Sequence, residues 1–273
     1  MANFVVTGAR SGIGAATARR LAESGNTVVG VDVADVEVEA DLGTSAGRRT
    51  AVAAVTESCG GVVHGVVCCA GLGSLSAHPG GKMVAVNYYG AVDFLSGLRP
   101  ALGRAGSASA VVISSSSTTT QPGIPADLVH ACLDGTEDEA TALGETAGAL
   151  AAYPATKLAL AWWVRREAVQ QNWIGEGIRL NAIAPGMIDT PMTGGPDVNP
   201  ELAKALDYYP VPMGRRGRPE EIAAVADFLL GPGASLICGT VLFADGGTDA
   251  VCRPTDWPAA WSPSNDDLAR LFS

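Results

Sequence analysis

The sequence predicts an α/β protein built on a doubly wound parallel sheet, and three observations carry that reading. Short, β-branched apolar runs recur along the chain, helix-length segments separate them, and a glycine-rich turn joins the first run to the first segment. Runs that are apolar almost without a break belong to strands buried on both faces, as in a parallel sheet covered by helices. In chain order the predicted strands are Asn3–Thr7, Thr27–Val33, Val62–Cys68, Ala110–Ser114, Arg179–Ala184 and Thr240–Ala244. Between them Gly14–Ser24, Ser45–Ser58, Lys82–Leu102, Tyr153–Gln171 and Pro219–Leu230 read as helices. The last opens with proline in its first turn and then Glu220 and Glu221, where the helix dipole favours acid. The alternation continues without a linker, so residues 1–250 are expected to form one domain.

Two segments break the pattern. Residues 116–152 run from Ser116-Ser117-Thr118-Thr119-Thr120 through the acidic Glu137-Asp138-Glu139, and read as an insertion: a surface loop with a short helix, or a flexible lid. Residues 251–273 carry Pro254, Pro258 and Pro263 with Trp257 and Trp261, and read as an extended tail anchored by its tryptophans to the body or to a neighbouring subunit.

Composition excludes several classes of function. Of the 273 residues, 47% are hydrophobic and 17% charged, which excludes disorder for most of the chain. A net charge of −10 argues against a nucleic-acid groove or an anionic membrane as partner. Apolar runs are strand-sized, far short of the ~20 residues of a membrane helix. Phe4-Val5-Val6 runs straight into Thr7-Gly8 with no basic segment ahead of it, so a cytoplasmic protein is expected. The six cysteines, Cys59, Cys68, Cys69, Cys132, Cys238 and Cys252, show no ligand-like spacing and read as small buried hydrophobes. His64, His78 and His130 are scattered, so no metal site is assigned.

The chemistry begins at Thr7-Gly8-Ala9-Arg10-Ser11-Gly12-Ile13-Gly14. Glycines at 8, 12 and 14 permit a tight turn, close approach of a pyrophosphate, and close packing of helix on strand. The free N–H groups opening the next helix then face the anion. Asp32 closes the second strand, 18 positions after Gly14, where a carboxylate bonds the adenosine ribose hydroxyls and repels a 2′-phosphate. A Rossmann-type nucleotide site selecting NAD over NADP is the expectation. Arg10 could soften the preference, but Val33-Ala34-Asp35 brings no base after Asp32.

The spacing Thr-Gly-x-x-x-Gly-x-Gly, with Tyr153-Pro154-Ala155-Thr156-Lys157, resembles the short-chain dehydrogenase/reductase family over nearly the whole chain. The likeness includes Ala70-Gly71 after a strand, Asn87 in the next helix, Ser114-Ser115 at a strand end, Pro185-Gly186-Met187-Ile188-Asp189-Thr190, and the closing Asp245-Gly246-Gly247. Within the family the pattern is most like the bacterial 3α-hydroxysteroid dehydrogenase/carbonyl reductase branch, through Met213-Gly214-Arg215-Arg216, Asp249–Thr255 and the insertion ahead of Tyr153. Cys68-Cys69 stand where the family often carries asparagines.

The resemblance implies an oxidoreductase in which Tyr153 exchanges the proton on a substrate oxygen. Lys157 bonds the nicotinamide ribose, Ser115 holds the substrate oxygen, and Asn87 places a water linking Lys157 to solvent. Tyr153 and Lys157, four apart, share a helix face, and the ammonium together with a positive nicotinamide is expected to lower the phenol pKa. Gly8, Ser11, Gly12, Ile13, Gly14, Asp32, Asp41, Leu42, Ala70, Gly71, Pro185, Gly186, Ile188 and Thr190 are the expected cofactor contacts, with Asp41-Leu42 at the adenine and Ile188 and Thr190 at the carboxamide. Ser114 stays an alternative to Ser115. Arg215 and Arg216 read as structural or as a subunit contact.

The substrate wall is expected from 116–152 and from a lid over 191–218, with Gly194, Gly195, Pro196, Pro200 and the apolar Met192, Leu202, Leu206, Tyr208 and Tyr209. No arginine precedes Arg215 there, so a hydrophobic alcohol or ketone, steroid-like in bulk, is expected over an anionic substrate. An aromatic or terpenoid alcohol is the alternative substrate, and a non-catalytic NAD-sensing scaffold is the alternative class. A homodimer or homotetramer is expected, because the last strand should lie at an open sheet edge.

Overall fold

The computed structural model describes residues 1–194 and 209–271. Seven parallel strands form one sheet in the order β3-β2-β1-β4-β5-β6-β7. They are β1 (Asn3–Thr7), β2 (Thr27–Asp32), β3 (Val38–Glu39), β4 (Gly65–Cys68), β5 (Ala108–Ile113), β6 (Ile178–Pro185) and β7 (Val241–Ala244). The doubly wound class is as the alternation predicts. The additional strand, β3, is only two residues long, too short for periodicity to reveal.

Successive strand residues feed opposite cores, since side chains alternate across a sheet. Val5, Val66, Val112 and Leu180 pack with α2 (Ser45–Ser58), α4 (Gly90–Gly103) and α7 (Glu137–Glu167). Val6, Val67, Val111 and Ile183 pack on the other face with Leu21 of α1 (Gly12–Glu23) and with Ile222, Ala226 and Leu229 of the Pro219–Leu230 helix. That pairing is laced outside by Arg19–Glu220 at 2.8 Å and Arg20–Asp227 at 2.9 Å. Every residue of β4 and β5 is buried.

The segment predicted as one helix over Lys82–Leu102 is three pieces: α3 (Gly80–Val84), a π-turn over Ala85–Tyr89, and α4. Inserted π-turns recur at functional sites, and this one holds Asn87.

Residues 116–152 are helical rather than a loop. They form α5 (Ser117–Thr120), α6 (Ala126–Asp134) and the front of α7, which begins at Glu137 and not at Tyr153. Thr136 caps α7 by accepting from the Glu139 amide, and the acidic run is its first turn. Leu128, Val129, Cys132 and Ala140 are buried there. Gly148, with φ of +74°, breaks the helical path before Tyr153.

Arg48 of α2 ties this region to α4 and to the Leu42 turn. Its side chain, only 3% exposed, lies 3.0 Å from Asp93, bonds Glu137 at 2.5 Å, and donates to the Leu42 carbonyl at 3.2 Å.

The tail contains two short helices, Thr248–Cys252 and Asn265–Leu271, so it is less extended than expected. Trp257 and Trp261 are 53% and 67% exposed, and the ring of Trp257 carries Arg253 at 5.9 Å. All six cysteines are unpaired. Among the described residues no helix is long and apolar enough to cross a membrane, and no three His, Cys, Asp or Glu gather as a metal would require.

Candidate active site

Strand order reverses between β1 and β4, and the crevice beyond their carboxyl ends is where such sheets bind ligands. A cleft of about 430 Å³ opens there. A side chain on Gly14 would put its Cβ 2.0 Å from the Gly8 carbonyl oxygen, so helix α1 can start this close to β1 only with glycine at 14. Gly8, at φ +66°, lies against Ala70, where a Cβ would stand 2.8 Å from the amide nitrogen. The Ala70 amide donates in turn to Thr7 Oγ1 at 3.0 Å. The glycine turn and the Ala70-Gly71 stretch are thereby one unit. Ser11 caps α1 without a side-chain bond, leaving the opening amides of that helix free to face the cleft.

The Asp32 carboxylate stands at the cleft rim. It accepts from the Arg10 amide at 3.1 Å and from the Val33 amide at 2.7 Å. The Arg10 guanidinium is turned to Asp35 at 3.7 Å. Asp41 accepts from the Gly43 amide at 2.9 Å, and buried Leu42 lies beside it on the cleft wall. Across the cleft, a Cβ on Gly12 would stand 3.3 Å from the Thr190 methyl, so these two residues meet over the turn. Ile188 pairs with Gly217, and the Thr190 amide donates to Thr193 Oγ1 at 3.2 Å. Pro185 accepts from the Ser116 amide, and the Gly186 amide donates to Ala244.

Ser115, Tyr153 and Lys157 come together on the wall formed by β5 and α7. Ser114 Oγ donates to the Lys157 carbonyl at 2.9 Å, which turns it to the helix backbone. Ser115 Oγ accepts from the Ser117 amide at 3.2 Å and lies near enough to the Tyr153 phenol to lower its pKa. Lys157, 4% exposed, donates one N–H to the Ile113 carbonyl at 2.8 Å, and its Nζ lies 5.9 Å from the Tyr153 ring centre. Burial holds its ammonium down to a pKa of about 8, with Cys69 and Cys68 opposing the shift.

In the chain by itself burial raises the Tyr153 phenol above its ordinary value, the nearby Ser115 hydroxyl opposes the rise, and Tyr209 adds to it. Asn87, expected to place a water, uses both ends of its side chain on Leu72. Its Oδ1 accepts from the Leu72 amide at 2.7 Å, and its Nδ2 donates to the Leu72 carbonyl at 3.0 Å. A Cβ on Gly71 would stand 3.2 Å from Asn87 Oδ1 and 3.5 Å from Lys157 Nζ, so both groups face the same point beside that glycine.

The other predicted contacts (Gly8, Ser11, Gly12, Ile13, Gly14, Asp32, Asp41, Leu42, Ala70, Gly71, Pro185, Gly186, Ile188 and Thr190) all line this one cleft. Sequence reasoning missed His78, Lys82 and Val86, which also line it. The four-residue step from Lys82 to Val86 on a helix was the available signal. Cys69, standing where the family often has asparagine, bridges to β1 through its backbone, its amide donating to Thr7 at 3.2 Å. Burial pushes its thiol up to about 12. Arg215 makes a two-pronged bond to Glu221, at 2.8 and 2.7 Å. Of the expected lid, Gly195, Pro196, Pro200, Leu202, Leu206 and Tyr208 lie outside the described residues. Met192 packs over Gly73, and Tyr209 is bonded to α5 rather than set as an apolar lining.

Residues 2–126 match the family described as short chain dehydrogenase, and residues 140–249 match one described as enoyl-(acyl carrier protein) reductase. The chain belongs to the short-chain dehydrogenase/reductase family and is an oxidoreductase. It is 40% identical over 260 residues to a 3-alpha-hydroxysteroid dehydrogenase/carbonyl reductase of Comamonas testosteroni, spanning 94% of this chain and 100% of that protein. The 3-alpha-hydroxysteroid dehydrogenase of Pseudomonas sp. B-0831, crystallised with NADH, superposes with a TM-score of 0.88 at 43% identity, over 94% of this chain and 100% of that one. A 2,5-dichloro-2,5-cyclohexadiene-1,4-diol dehydrogenase of Sphingobium indicum is 31% identical, over 89% of this chain and 94% of that protein.

Proposed function

We propose that this chain interconverts a secondary alcohol and its ketone on a bulky hydrophobic, steroid-like substrate, with NAD(H) as cofactor. One observation carries the reading: Ser115, Tyr153 and Lys157 share a single cleft with the Gly8–Gly14 turn and Asp32. That cleft fits a dinucleotide. The turn has no room for a Cβ at Gly14, the opening amides of α1 are free, and a carboxylate stands at the ribose position. Asp32 favours NAD over NADP by repelling a 2′-phosphate, and Asp35 keeps Arg10 from compensating.

When bound, the dinucleotide supplies the hydride acceptor or donor and, oxidised, a positive ring charge. Tyr153 takes the hydroxyl proton in alcohol oxidation and returns it in ketone reduction. Ser115, whose hydroxyl shares the cleft wall with that phenol, holds the substrate oxygen at the same point. Lys157 has three donors and spends one on Ile113, which leaves two for ribose hydroxyls. Asn87 fixes Leu72 and so the wall behind Gly71, a positioning task.

The hydrophobic substrate class follows from what lines the cleft. Among the described lining residues there is no arginine, and Leu72 and Met192 supply apolar surface. Lys82 also borders a neighbouring hollow with Asp41, so it belongs to the Asp41 side of the cleft. The steroid dehydrogenases among the relatives support the same class. The segments 116–152 and 191–218 are the substrate-side walls in this reading. The open edge of β7, with Phe228 48% exposed on the helix that covers the adjoining strands, favours a homodimer or homotetramer.

A panel of 3-hydroxy- and 3-ketosteroids, aromatic alcohols and small ketones, followed by the absorbance of reduced nicotinamide, tests the proposal. Turnover of the steroids is the expected result. Turnover confined to small polar or anionic compounds overturns the substrate class and leaves the oxidoreductase assignment standing.

A further inference from the structure

Tyr209 carries a phenol that the reaction as described does not use. Its chain position is fixed from one side: Thr248 Oγ1 donates to the Pro210 carbonyl at 2.7 Å, and the Met213 amide donates to Gly246 at 3.1 Å. Its hydroxyl lies 3.1 Å from Ser116 Oγ and 2.5 Å from Thr120 Oγ1. Those two residues are four apart and share one face of the α5 turn.

Thr120 has one hydroxyl proton and donates it to the Ser116 carbonyl at 2.9 Å. With its proton there, Thr120 accepts from the phenol and Ser116 donates to it, so both hydroxyls can engage Tyr209 at once.

What it holds is the turn that orients Ser115. The Ser117 amide donates to Ser115 Oγ at 3.2 Å, and Thr118 Oγ1 donates to the Ser115 carbonyl at 2.8 Å. Tyr209 is thus bonded to Ser116, the neighbour of the serine that faces Tyr153 across the cleft wall. Tyr209 is also near enough to Tyr153 to act on its charge.

We infer that Tyr209 is a positioning residue: by clasping Ser116 and Thr120 it locks the α5 turn and thereby sets the direction in which Ser115 presents its hydroxyl. This rests on the assignment of Ser115 and Tyr153 to the substrate oxygen.

The test uses the full chain with NAD and either androsterone or cyclohexanol, whichever is turned over. Tyr209→Phe keeps the ring and removes the clasp. Its kcat is expected to fall about tenfold, with KM and the NAD dissociation constant within about twofold of wild type. Thr120→Val, which removes one bond, should lose less. At enzyme concentrations high enough to read the slow Ser115→Ala variant, adding Tyr209→Phe should cost nothing more, because the hydroxyl it orients is gone.

An undiminished kcat in Tyr209→Phe, or an equal further loss in the Ser115→Ala background, overturns the inference. Should Tyr209→Phe fail to bind NAD, Thr120→Val and Ser116→Ala carry the same comparison. If Tyr153→Phe is inactive while Tyr209→Phe resembles wild type, only this inference falls. If Tyr153→Phe stays active, or neither alcohol is oxidised, the assignment beneath it falls too.

Discussion

Replacing Lys157 by methionine should make the protein more stable and inactive at once. The side chain is 4% exposed, and burial holds its ammonium at about 8 against an ordinary 10.5. At about 1.4 kcal/mol per tenfold in proton affinity, keeping that charge inside costs the fold about 3 kcal/mol at neutral pH. Methionine removes the penalty and fills similar volume, but it gives up the bond to the Ile113 carbonyl, worth about 1 kcal/mol. A net gain of about 2 kcal/mol remains. With an unfolding entropy of about 0.6 kcal/mol/K for a chain this long, Tm should rise by about 3–4 °C.

The sign with pH follows from proton counts. Below a pH of about 8 the lysine is charged in both states, and the penalty is complete. Between about 8 and 10.5 the unfolded chain binds the extra proton, so the wild type gains stability relative to the variant as pH rises. Thermal unfolding of both proteins without NAD reads this directly. The gap should be open at about pH 7 and nearly closed at about pH 9.5. A variant less stable than wild type at neutral pH, or a gap that ignores pH, refutes the reasoning.

Three further outcomes are expected. Tyr153→Phe should abolish turnover and leave NAD binding within a few-fold, as measured by steady-state kinetics and fluorescence titration; more than about a tenth of wild-type activity removes Tyr153 as the proton carrier. Asp32→Ala should narrow the preference for NAD over NADP by about tenfold, since it removes a repulsion without adding a contact, and a wild-type preference for NADP in kcat/KM would mean Arg10 outweighs the carboxylate. Light scattering at micromolar concentration should show at least a dimer, and a monomer there dismisses the role given to the β7 edge.

The doubly wound sheet was legible because its central strands are apolar on both faces, and β4 and β5 leave no residue outside the core. The nucleotide turn was legible for a local reason: Gly8 and Gly14 stand where any side chain collides with backbone. What escaped reading depends on contacts distant in sequence. The acidic run Glu137-Asp138-Glu139 has the look of a solvated loop until Thr136 is seen to cap it and Arg48, 89 residues away, pairs with Glu137. Asn87 was assigned to the site by the family resemblance, and its bonds to Leu72 from within a π-turn could not be read from the sequence. The rise that burial gives the Tyr153 phenol in the chain by itself was not legible from its four-residue spacing to Lys157, because burial is a property of the packed fold.

The tether at Arg48 has a consequence for how this chain can change length. Arg48 fastens Glu137 beneath Leu42, and the same stretch of chain goes on to carry Tyr153 and Lys157, so one continuous segment spans from the Leu42 wall to the reacting groups. A residue gained or lost within a helix turns everything beyond it by about 100°. Inside 137–147 such a change would swing Glu137 off Arg48, and inside 149–157 it would carry Tyr153 out of the cleft. Gly148 is the exception, because its backbone already departs from the helix and nothing lies within 4 Å of where its side chain would be. Insertions and deletions in related sequences should therefore collect at that one point of the span and be excluded from either side of it.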